Sequence, residues 1–589
     1  MAESSTLRPV EALAFSFSLA LPVSNLDFFR GLQVIVKKAY LLTEAYYYQA
    51  QIAVELTIPG AFLLSAAALY SYCAGDSFQI QFQYQFFRHN AAASMDTNTN
   101  NTTTTRSTMP LWETPTTTHD ISDQNMAAAK EEFLSLLGRD GINDKIGDLI
   151  AHSTTPWSEA PSPRDHAAII LFPRSTEEVS QVVKICHRRR IPITPFSGGT
   201  SLEGALAATR GGVCIDFSKM DKILAVHKRD MDAVVQPGVG WQLLNEQLEK
   251  DDLFFPVDPG PGACIGGMVA TGCSGTNAYR YGTMKDWVIS LTVVLADGTI
   301  IKTRGRPRKS SAGYDLTKMF VGASGTLGIV TEAVVKITSK PKNVQCAVAA
   351  FPSIQSAVNA AVGLVQQEIP VSALEMLDET FMRSINEQGS TDRTWKETPT
   401  IFFKFCGSTV AGVQEQVELV KKLSKEAGSL SFDVGQTQEE VDSLWNARKT
   451  CLWNFLATKE HPDDQFVSSD VAVPISRLAD IVEETKTKIK RSGLQGSVLA
   501  HAGDGNFHAA ILYSTENKEK AERIIAEIQE VGIRLEGTIS GEHGIGLTFR
   551  DALEAELGAD AVATMRQIKL SLDPLCLLNP DKVFRLKAD

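Results

Sequence analysis

The sequence has no excess of positive charge. It carries 57 lysine and arginine residues against 69 aspartate and glutamate residues over 589 positions, so its formal net charge is −12. Proteins that bind nucleic acid cluster basic residues along one face. The balance here is typical of a soluble acidic protein and predicts no nucleic-acid partner.

Paired cysteines are also missing. Nine cysteines are scattered through the chain, and no two of them have the CxxC spacing. The odd number argues against a disulfide framework, and the spacing argues against a zinc ribbon or a thioredoxin-type motif. We expect these thiols to be mostly reduced and buried.

Two nucleotide-binding fingerprints are absent as well. Neither GxGxxG nor GxxxxGK[ST] occurs in the sequence. Their absence disfavours a dinucleotide-binding Rossmann domain and a P-loop ATPase. The length predicts about two to four domains.

Long uncharged runs are rare, and one lies near the start. Residues 56–74 (LTIPGAFLLSAAALYSYCA) hold 19 positions without a charge, close to the shortest length that spans a bilayer. The run predicts either a single membrane anchor or part of a targeting or poorly ordered leader. Glu3, Glu11 and Asp27 are unlike a simple mitochondrial presequence. Residues 95–110, rich in threonine and asparagine, are typical of a linker.

What the sequence does contain is a series of glycine-rich segments among strand-like runs. Ser175 and Glu178 predict the capped start of a helix that runs to about Arg190. The segment IPITPFS then predicts a short strand that leads into GGTSLEG. Gly198 and Gly199 let backbone amides approach a ligand such as a diphosphate, although an ordinary turn explains this loop by itself.

Two further glycine-rich segments favour a ligand-binding loop over an ordinary turn. Residues 258–282 contain seven glycines, and FVGASGTLGIVTE adds a glycine-rich turn before an apolar strand. Glycine costs chain entropy, so this density favours places where the backbone closely approaches another group. The three segments together predict one extended ligand that lies along backbone.

Two histidines flank a glycine-rich turn in SVLAHAGDGNFHAAILY. The sequence predicts two apolar strands joined by a reversal, which would bring His501 and His508 together. Glu542 and His543 follow in SGEHGIG. Two imidazoles and a carboxylate suit Zn²⁺, Mn²⁺ or Fe²⁺. Turn histidines satisfied by hydrogen bonds are the alternative.

Four long motifs occur in order: PFSGGTSLEGA, PGVGW, DPGPGACIGGMVATGCSGTNAYRYGTMKDWV and FVGASGTLGIVTE. They resemble the FAD-binding domain of the vanillyl-alcohol oxidase type (PCMH-type) flavoproteins, and the resemblance covers about residues 140–589. Within that superfamily the chain looks most similar to the D-2-hydroxyacid dehydrogenase and glycolate oxidase branch. The resemblance implies an α+β fold in which a two-subdomain FAD-binding domain is followed by an α+β cap domain.

The predicted domains combine this resemblance with composition. Residues 1–120 would be a disordered or membrane-anchoring leader, and 121–342 the FAD-binding domain. Residues 343–545 would form the cap with the substrate and metal sites, and 546–589 a C-terminal segment that returns to the FAD-binding domain.

The resemblance also implies the cofactor contacts. The loop that would wrap the FAD pyrophosphate consists of Ser197, Gly198, Gly199, Thr200 and Ser201. The rest of the cofactor would be lined by Pro237, Gly238, Asp258, Pro259, Gly267, Ile329 and, in LNPDKVF, Asn579. A helix stop before proline is the alternative explanation of Asn579. No histidine occurs in TPFSGG, so FAD is expected to bind non-covalently.

For the histidines, the resemblance implies a catalytic metal centre. In this branch HxGDGNxH followed by GEHG carries a divalent metal, which gives His501, His508 and Glu542 as ligands of zinc or manganese and His543 as the adjacent base. Arg448, in LWNARKTCLW, would bind the substrate carboxylate. A surface salt bridge is the alternative for Arg448.

The implied activity is oxidation of a D-2-hydroxy acid. D-lactate is favoured because GYDLTKMFVGASGTLGI and LWNARK look closest to the mitochondrial, cytochrome-linked members of the branch; D-2-hydroxyglutarate and glycolate are alternatives. Cytochrome c or another respiratory carrier would accept the electrons in a mitochondrion, with inner-membrane association as a further expectation. A flavin-free metal hydrolase and a redox-inactive flavin-fold protein are alternatives from other classes.

Overall fold

The computed structural model describes residues 119–585, except residues 156, 159–161 and 163. The predicted membrane segment (56–74) and linker (95–110) lie outside the described residues. In the described part of the chain, no helix combines the length and apolar character needed to cross a bilayer. None of the eight cysteines of that part forms a disulfide bond, and seven are buried.

A four-stranded sheet begins the predicted FAD-binding domain. Its strands are β1 (Ile142–Asn143), β2 (Ile169–Leu171), β3 (Ile193–Phe196) and β4 (Val213–Asp216), in the order β1-β2-β4-β3. The helices of this part are α1 (Asp123–Leu137), α2 (Ile146–Ala151) and α3 (Thr176–Arg189). Strands β2, β4 and β3 run parallel, and all three residues of β2 are buried, as expected for parallel strands covered on both faces.

Helix α3 begins and ends where the sequence predicts. The Ser175 hydroxyl accepts a hydrogen bond from Glu178 N–H at 3.2 Å, and the Glu178 carboxylate accepts one from Arg174 N–H at 2.7 Å. The helix ends at Arg190, which has a left-handed φ of 54°. The first bond of the predicted capping box is present, whereas the second involves the residue before Ser175.

A five-stranded antiparallel sheet follows. Its strands are β5 (Ile223–His227), β6 (Asp232–Val235), β8 (Val288–Val294), β9 (Ile300–Lys302) and β10 (Ile329–Lys336), in the order β5-β6-β10-β8-β9. The connections contain α4 (Trp241–Glu249), α5 (Ile265–Thr271), α6 (Ala278–Tyr281), α7 (Met284–Trp287), α8 (Leu316–Phe320) and the pair β7 (Leu253–Phe254) and β11 (Thr338–Ser339). The three glycine-rich segments lie in connections of these two sheets.

An eight-stranded antiparallel sheet forms the centre of the predicted cap. Its strands are β12 (Asn343–Ala350), β13 (Ala373–Leu377), β14 (Thr400–Gly407), β15 (Ser431–Val434), β16 (Gln465–Ser468), β17 (Val471–Ala472), β18 (Gln495–His501) and β19 (Asn506–Tyr513). Seven strands have the order β15-β12-β14-β13-β18-β19-β16, and β17 pairs with β19. The helices are α9 (Ile354–Gln366), α10 (Glu379–Gln388), α11 (Val410–Glu426), α12 (Gln438–Leu456), α13 (Leu478–Ser492) and α14 (Lys518–Arg534).

Side-chain alternation gives this sheet two different faces. One packs under α9, α11, α13 and α14, and the other against α10 and α12. Leu377 and Leu499 lie on the second face. Residues two apart on a strand share a face, and the register pairs Glu375 with His501 and Leu499 with His508. Both histidines therefore lie on the face that α12 covers.

The last described segment turns back to the first sheet after α15 (Arg550–Leu557) and α16 (Ala559–Leu572). Ile193 N–H donates to Leu577 O, and Asn579 N–H donates to Ile193 O, both at 2.7 Å. The buried Lys569 ammonium donates to Leu578 O at 2.7 Å. These bonds place Asn579 beside β3 and the glycine-rich loop that follows it.

Candidate active site

One large cavity contains most of the residues that the sequence singles out. Its volume is about 1170 Å³, and its walls come from the glycine-rich connections and from the second face of the eight-stranded sheet. The predicted cofactor residues on its wall are Ser197, Gly198, Gly199, Thr200, Ser201, Pro237, Asp258, Pro259, Gly267, Ile329 and Asn579. The predicted catalytic and metal residues on the same wall are Arg448, His501, His508, Glu542 and His543.

Close backbone contacts hold the loop at residues 197–201 against a second glycine-rich segment. A Cβ atom on Gly198 would lie 2.7 Å from Gly262 O and 2.9 Å from Cys264 N. Gly199 has a left-handed φ of 66°, which an L side chain rarely adopts. Backbone rather than side chains therefore forms this wall, as a diphosphate cradle requires.

Two buried polar atoms on the cavity wall have no hydrogen-bond partner among the described residues. They are Ser201 Oγ and Asn579 Oδ1. The amide nitrogen of Asn579 is engaged, because it donates to Ser324 O at 2.8 Å. Buried polar atoms are normally paired, so both oxygens fit a polar ligand. The loop at residues 197–201 and these two oxygen atoms together fit the polar groups of a bound FAD.

Gly238 differs from the other predicted cofactor residues, because it does not line the cavity. A Cβ atom there would lie 2.3 Å from Phe217 O. The adjacent Pro237 does line the cavity, and its carbonyl accepts a hydrogen bond from Ser197 Oγ at 2.8 Å. Gly238 thus shapes the turn behind Pro237, and its contact with a cofactor stays a prediction.

The hairpin predicted around the two histidines is present. Strands β18 and β19 pair antiparallel, with His501 opposite Asn506. Gly505 in the turn has a φ of 75°, and a Cβ atom there would lie 2.1 Å from Val473 O. His501 and His508 lie diagonally across the pair, with ring centroids 5.4 Å apart. The register of the hairpin therefore brings the two imidazoles together.

Both imidazoles direct Nε2 at one carboxylate. Glu542 Oε1 lies 3.4 Å from His501 Nε2 and 3.3 Å from His508 Nε2. The other oxygen of Glu542 accepts a hydrogen bond from Ser274 Oγ at 2.5 Å. Two nitrogens and one oxygen meet where the sequence predicts metal ligands.

Asp470 positions the segment that carries Glu542 and His543, and sequence reasoning missed it. Its Oδ2 accepts hydrogen bonds from Glu542 N–H at 2.9 Å, from His543 N–H at 2.7 Å and from a nearby serine hydroxyl at 2.7 Å. Ligand atoms of Asp470, His508, Glu542 and His543 also lie within 4.8 Å of one another, which is an alternative metal cluster. We favour the His501, His508 and Glu542 set, because hydrogen bonds already occupy both Asp470 oxygens.

A third carboxylate, Glu375, connects His501 to Arg448. Glu375 Oε1 lies 2.9 Å from His501 Nδ1. Glu375 Oε2 accepts hydrogen bonds from Arg448 Nε at 3.1 Å and Nη2 at 2.7 Å. Arg448 thus lies on the cavity wall, but it is paired within the protein and only partly available to a substrate carboxylate, so its contact with substrate stays a prediction.

The cluster around His501, His508 and Glu542 contains more carboxylates than permanently charged cations, of which Arg448 is the one described above. Burial would raise the pKa of Glu542, but His501 and His508 outweigh that effect and hold the pKa well below its usual value. Burial would lower the pKa of His501, but Glu375 and Glu542 raise it well above its usual value. Glu375, Glu542 and Asp470 supply three carboxylates, whereas Arg448, which pairs with Glu375, supplies one guanidinium. The cluster therefore attracts positive charge and fits a divalent cation.

His543 stacks on His508, with ring centroids 5.0 Å apart and an angle of 15° between the planes. Its Nδ1 lies 3.1 Å from Oε1 of the buried Glu203, another carboxylate that sequence reasoning missed. Burial lowers the pKa of His543, but Asp470, Glu203 and Glu542 together raise it to about 9. Since Glu203 holds Nδ1, Nε2 is the ring nitrogen left for proton transfer.

Of the three carboxylates that the sequence analysis missed, one could have been identified from the sequence. Glu375 is an acidic residue within the apolar segment SALEMLD. A buried acid in such a strand needs a partner, so this position could have been found. Asp470 and Glu203 lie in short polar stretches that look like ordinary turns. Their roles follow from contacts between distant parts of the chain.

Comparison with known proteins places this site in a family. Residues 167–304 match the family described as "FAD binding domain", and residues 340–583 match "FAD linked oxidases, C-terminal domain". The fold resembles that of 4-ethylphenol oxidase from Gulosibacter chungangensis, with a TM-score of 0.65 at 18% identity, over 80% of this chain and 98% of that chain.

Two relatives with closer sequences carry names for their activities. "D-lactate dehydrogenase [cytochrome], mitochondrial" of Kluyveromyces lactis is 46% identical over 79% of this chain and 82% of the relative. "Glycolate oxidase subunit GlcD" of Bacillus subtilis is 32% identical over 78% of this chain and 97% of the relative. The predicted α+β architecture with an FAD-binding domain and a cap is confirmed. The chain belongs to the family of FAD-linked oxidases.

Proposed function

We propose that this chain oxidises D-lactate to pyruvate with bound FAD and passes the electrons to a cytochrome. The observation that carries the proposal is the convergence of His501 Nε2 and His508 Nε2 on Glu542 Oε1 inside the cavity that the flavin cradle lines. The identity to a mitochondrial D-lactate dehydrogenase of the cytochrome type supports the substrate, the acceptor and a mitochondrial location. Inner-membrane association stays a prediction, because residues 56–74 lie outside the described residues.

The cofactor is held without a covalent bond in this proposal. The loop at residues 197–201 binds the pyrophosphate through its backbone, and Ser201 and Asn579 supply polar contacts. When bound, the isoalloxazine of FAD accepts the two electrons and the hydrogen that leave the substrate carbon. The protein positions the hydroxy acid and the flavin in one cavity.

His501, His508 and Glu542 would hold a divalent metal. Such an ion, when bound, lowers the pKa of a coordinated hydroxyl. Two nitrogen donors and one oxygen donor suit zinc and manganese alike. The same positive charge disfavours protonation of the adjacent His543 and so opposes the carboxylates that raise its pKa.

The chain's own groups then have separate tasks. His543 accepts the proton of the substrate hydroxyl at Nε2, while Glu203 holds Nδ1 and keeps the ring in place. Arg448 binds the substrate carboxylate with the N–H groups that Glu375 does not use. Loss of the hydroxyl proton and of the hydrogen on Cα, with its two electrons, converts the 2-hydroxy acid to the 2-oxo acid.

Glycolate is the second candidate substrate, because a glycolate oxidase subunit is 32% identical over most of its length. Glycolate and D-lactate share the hydroxyl and carboxylate that this site would recognise. They differ in one methyl group, which is worth about 1–3 kcal/mol in a fitted pocket.

Substrate profiling tests the proposal. The purified protein, supplied with FAD and a divalent metal, is assayed with D-lactate, L-lactate, glycolate and D-2-hydroxyglutarate and an artificial electron acceptor. We expect the highest kcat/KM for D-lactate, at least about tenfold above glycolate. A higher kcat/KM for another of these acids would contradict the assignment, and a protein that retains no flavin would favour a metal hydrolase.

A further inference from the structure

Glu375 occupies an unusual position for a carboxylate. It lies on β13 in the middle of the eight-stranded sheet and is 1% exposed. Each of its oxygens has a different cationic or hydrogen-donating partner: Oε1 meets the imidazole of His501, and Oε2 meets the guanidinium of Arg448. One side chain thus contacts both a residue of the metal set and the residue assigned to the substrate carboxylate.

On one side, Glu375 determines how His501 can bind a metal. Its Oε1 accepts a hydrogen bond from His501 Nδ1–H at 2.9 Å. When Nδ1 carries the proton of a neutral imidazole, Nε2 has the free lone pair. That nitrogen points at Glu542 Oε1, 3.4 Å away. Glu375 therefore favours the tautomer that a metal ligand needs.

On the other side, Glu375 determines which edge of Arg448 is free. A guanidinium can bind a carboxylate through the Nε and Nη2 edge or through the Nη1 and Nη2 edge. Glu375 occupies the first edge, at 3.1 Å and 2.7 Å. The Nη1 atom has a long contact of 3.8 Å with Cys451 Sγ. The second edge is therefore the one left for an anion in the cavity.

A neutral amide cannot replace this carboxylate on both sides. His501 Nδ1–H and Arg448 both donate, so position 375 must accept from two directions. Glutamine has one accepting oxygen, and its NH₂ group would face one of the two donors. If the oxygen stays with the charged guanidinium, the NH₂ group faces His501 and favours the tautomer with its proton on Nε2.

We propose that Glu375 is a positioning residue that couples the two halves of the site, presenting His501 Nε2 to the metal and the free edge of Arg448 to the substrate carboxylate. The proposal rests on the proposed function for its substrate half. Its metal half concerns binding alone and holds whichever hydroxy acid is the substrate.

Asp378 provides a matched control, because it is a buried carboxylate at the end of the same strand. It is 1% exposed and accepts hydrogen bonds from Ser497 Oγ at 2.6 Å and Val498 N–H at 3.0 Å, and it pairs with Lys486. These contacts join α10 and α13 to the sheet, and Asp378 is absent from the cavity wall. Asp378→Asn therefore reproduces the loss of a buried charge without touching the site.

The test compares Glu375→Gln, Glu375→Asp and Asp378→Asn in the full-length, FAD-loaded protein. Zinc and manganese affinities are measured without substrate, by competition with a chromophoric chelator. KM and kcat for D-lactate are then measured at saturating metal, and flavin content and thermal unfolding report whether each variant folds. Glu375→Asp retains two accepting oxygens and so serves as the conservative rescue.

We expect Glu375→Gln to weaken metal binding roughly 10- to 100-fold and, at saturating metal, to raise KM for D-lactate by at least about tenfold with flavin content unchanged. Glu375→Asp should recover part of both effects, and Asp378→Asn should lower thermal stability without changing either affinity.

A folded Glu375→Gln protein with unchanged metal affinity and unchanged KM would overturn the proposal. A change in metal affinity without a change in KM would overturn the coupling. If the unsubstituted enzyme does not oxidise D-lactate, the proposed function fails, whereas the metal titration still tests the first half.

Discussion

His543 shows how buried carboxylates set the chemistry of a single side chain. Asp470, Glu203 and Glu542 raise its pKa to about 9 against the effect of burial. This environment favours the cationic form of the imidazole, and a divalent cation bound beside it would oppose that effect. Binding of the proposed metal and protonation of His543 would therefore be linked through charge.

The first prediction concerns removal of that base. His543→Asn should lower kcat for D-lactate roughly 10²- to 10⁴-fold, because general-base catalysis contributes about that much. Flavin content and metal affinity should stay within about twofold, since the ligand set is intact. The exposed His461, changed to asparagine, is the control and should retain full activity. A His543→Asn enzyme with normal turnover would remove His543 from the mechanism.

The second prediction concerns the flavin cradle. In Gly198→Ala the new methyl group would lie 2.7 Å from Gly262 O and 2.9 Å from Cys264 N, so the two backbone segments must separate. Such overpacking costs about 1–3 kcal/mol, and we expect at least about tenfold weaker FAD binding by flavin fluorescence. Gly240→Ala is the matched control, because a Cβ atom there meets nothing within 4 Å. Equal FAD affinities for the two variants would contradict this account of the loop.

At the level of secondary structure, the β18–β19 hairpin positions two of the three proposed metal ligands, His501 and His508. Its turn passes close to the chain at Val473, and Gly505 combines a φ of 75° with a Cβ position 2.1 Å from Val473 O. An alanine there would meet backbone that cannot move aside cheaply. The turn that joins the two histidines is therefore one of the least tolerant positions of the site.

The third prediction tests this turn. Gly505→Ala should destabilise the protein by several times the ~1–2 kcal/mol that a left-handed L residue costs alone, and metal affinity should fall with it. Gly493→Ala isolates the backbone cost, because Gly493 has a φ of 72° with nothing within 4 Å of its Cβ position. Urea unfolding and metal titration of the two variants provide the comparison. Similar losses in both would mean that the contact with Val473 is unimportant.

The C-terminal segment carries a buried amine. Lys582 donates to Ala207 O at 2.6 Å and Pro580 O at 3.2 Å, and burial lowers its pKa to about 7. The unfolded chain binds this proton up to about pH 10.4. Between these values folding releases the proton, so this group makes the folded state more stable as pH rises and less stable as pH falls towards 7.

The fourth prediction follows from this increase of folding stability with pH. Lys582→Met removes the titration, so the stability of the unsubstituted protein relative to the variant should rise between pH 7 and pH 9, by at most roughly 1.4 kcal/mol per pH unit. The loss of two hydrogen bonds to carbonyl oxygens is constant with pH and does not affect the trend. Denaturant unfolding at several pH values measures the difference. A pH-independent difference would show that Lys582 does not titrate in this window.

At the scale of the whole molecule, the local patterns of the sequence predicted more than its long-range contacts. The α3 helix, the turn at Pro237 and the hairpin at His501 all follow from neighbouring residues, and each is present. The contact between Glu375 and His501 spans 126 residues and depends on the pairing of β13 with β18. Strand order of this kind is set by packing of the complete sheet, so it could not be read from spacing.

Long-range contacts also explain why the sequence predicted the surroundings of Arg448 and His543 only in part. Arg448 lies on the cavity wall, but its partner Glu375 is 73 residues away, so the occupied edge was invisible in LWNARK. Asp470 and Glu203 reach His543 from different sheets and connections. The family resemblance predicted the metal ligands, whereas the carboxylates that contact these residues could be identified only from the fold.

The most direct test of the account is anaerobic reduction of the bound flavin. The FAD- and metal-loaded protein is mixed with D-lactate in the absence of any acceptor, and the flavin absorbance is followed. We expect rapid loss of the oxidised flavin bands, and a loss roughly 10²- to 10⁴-fold slower in His543→Asn. Flavin that stays oxidised with D-lactate, yet is reduced at once by dithionite, would show that this site does not oxidise D-lactate.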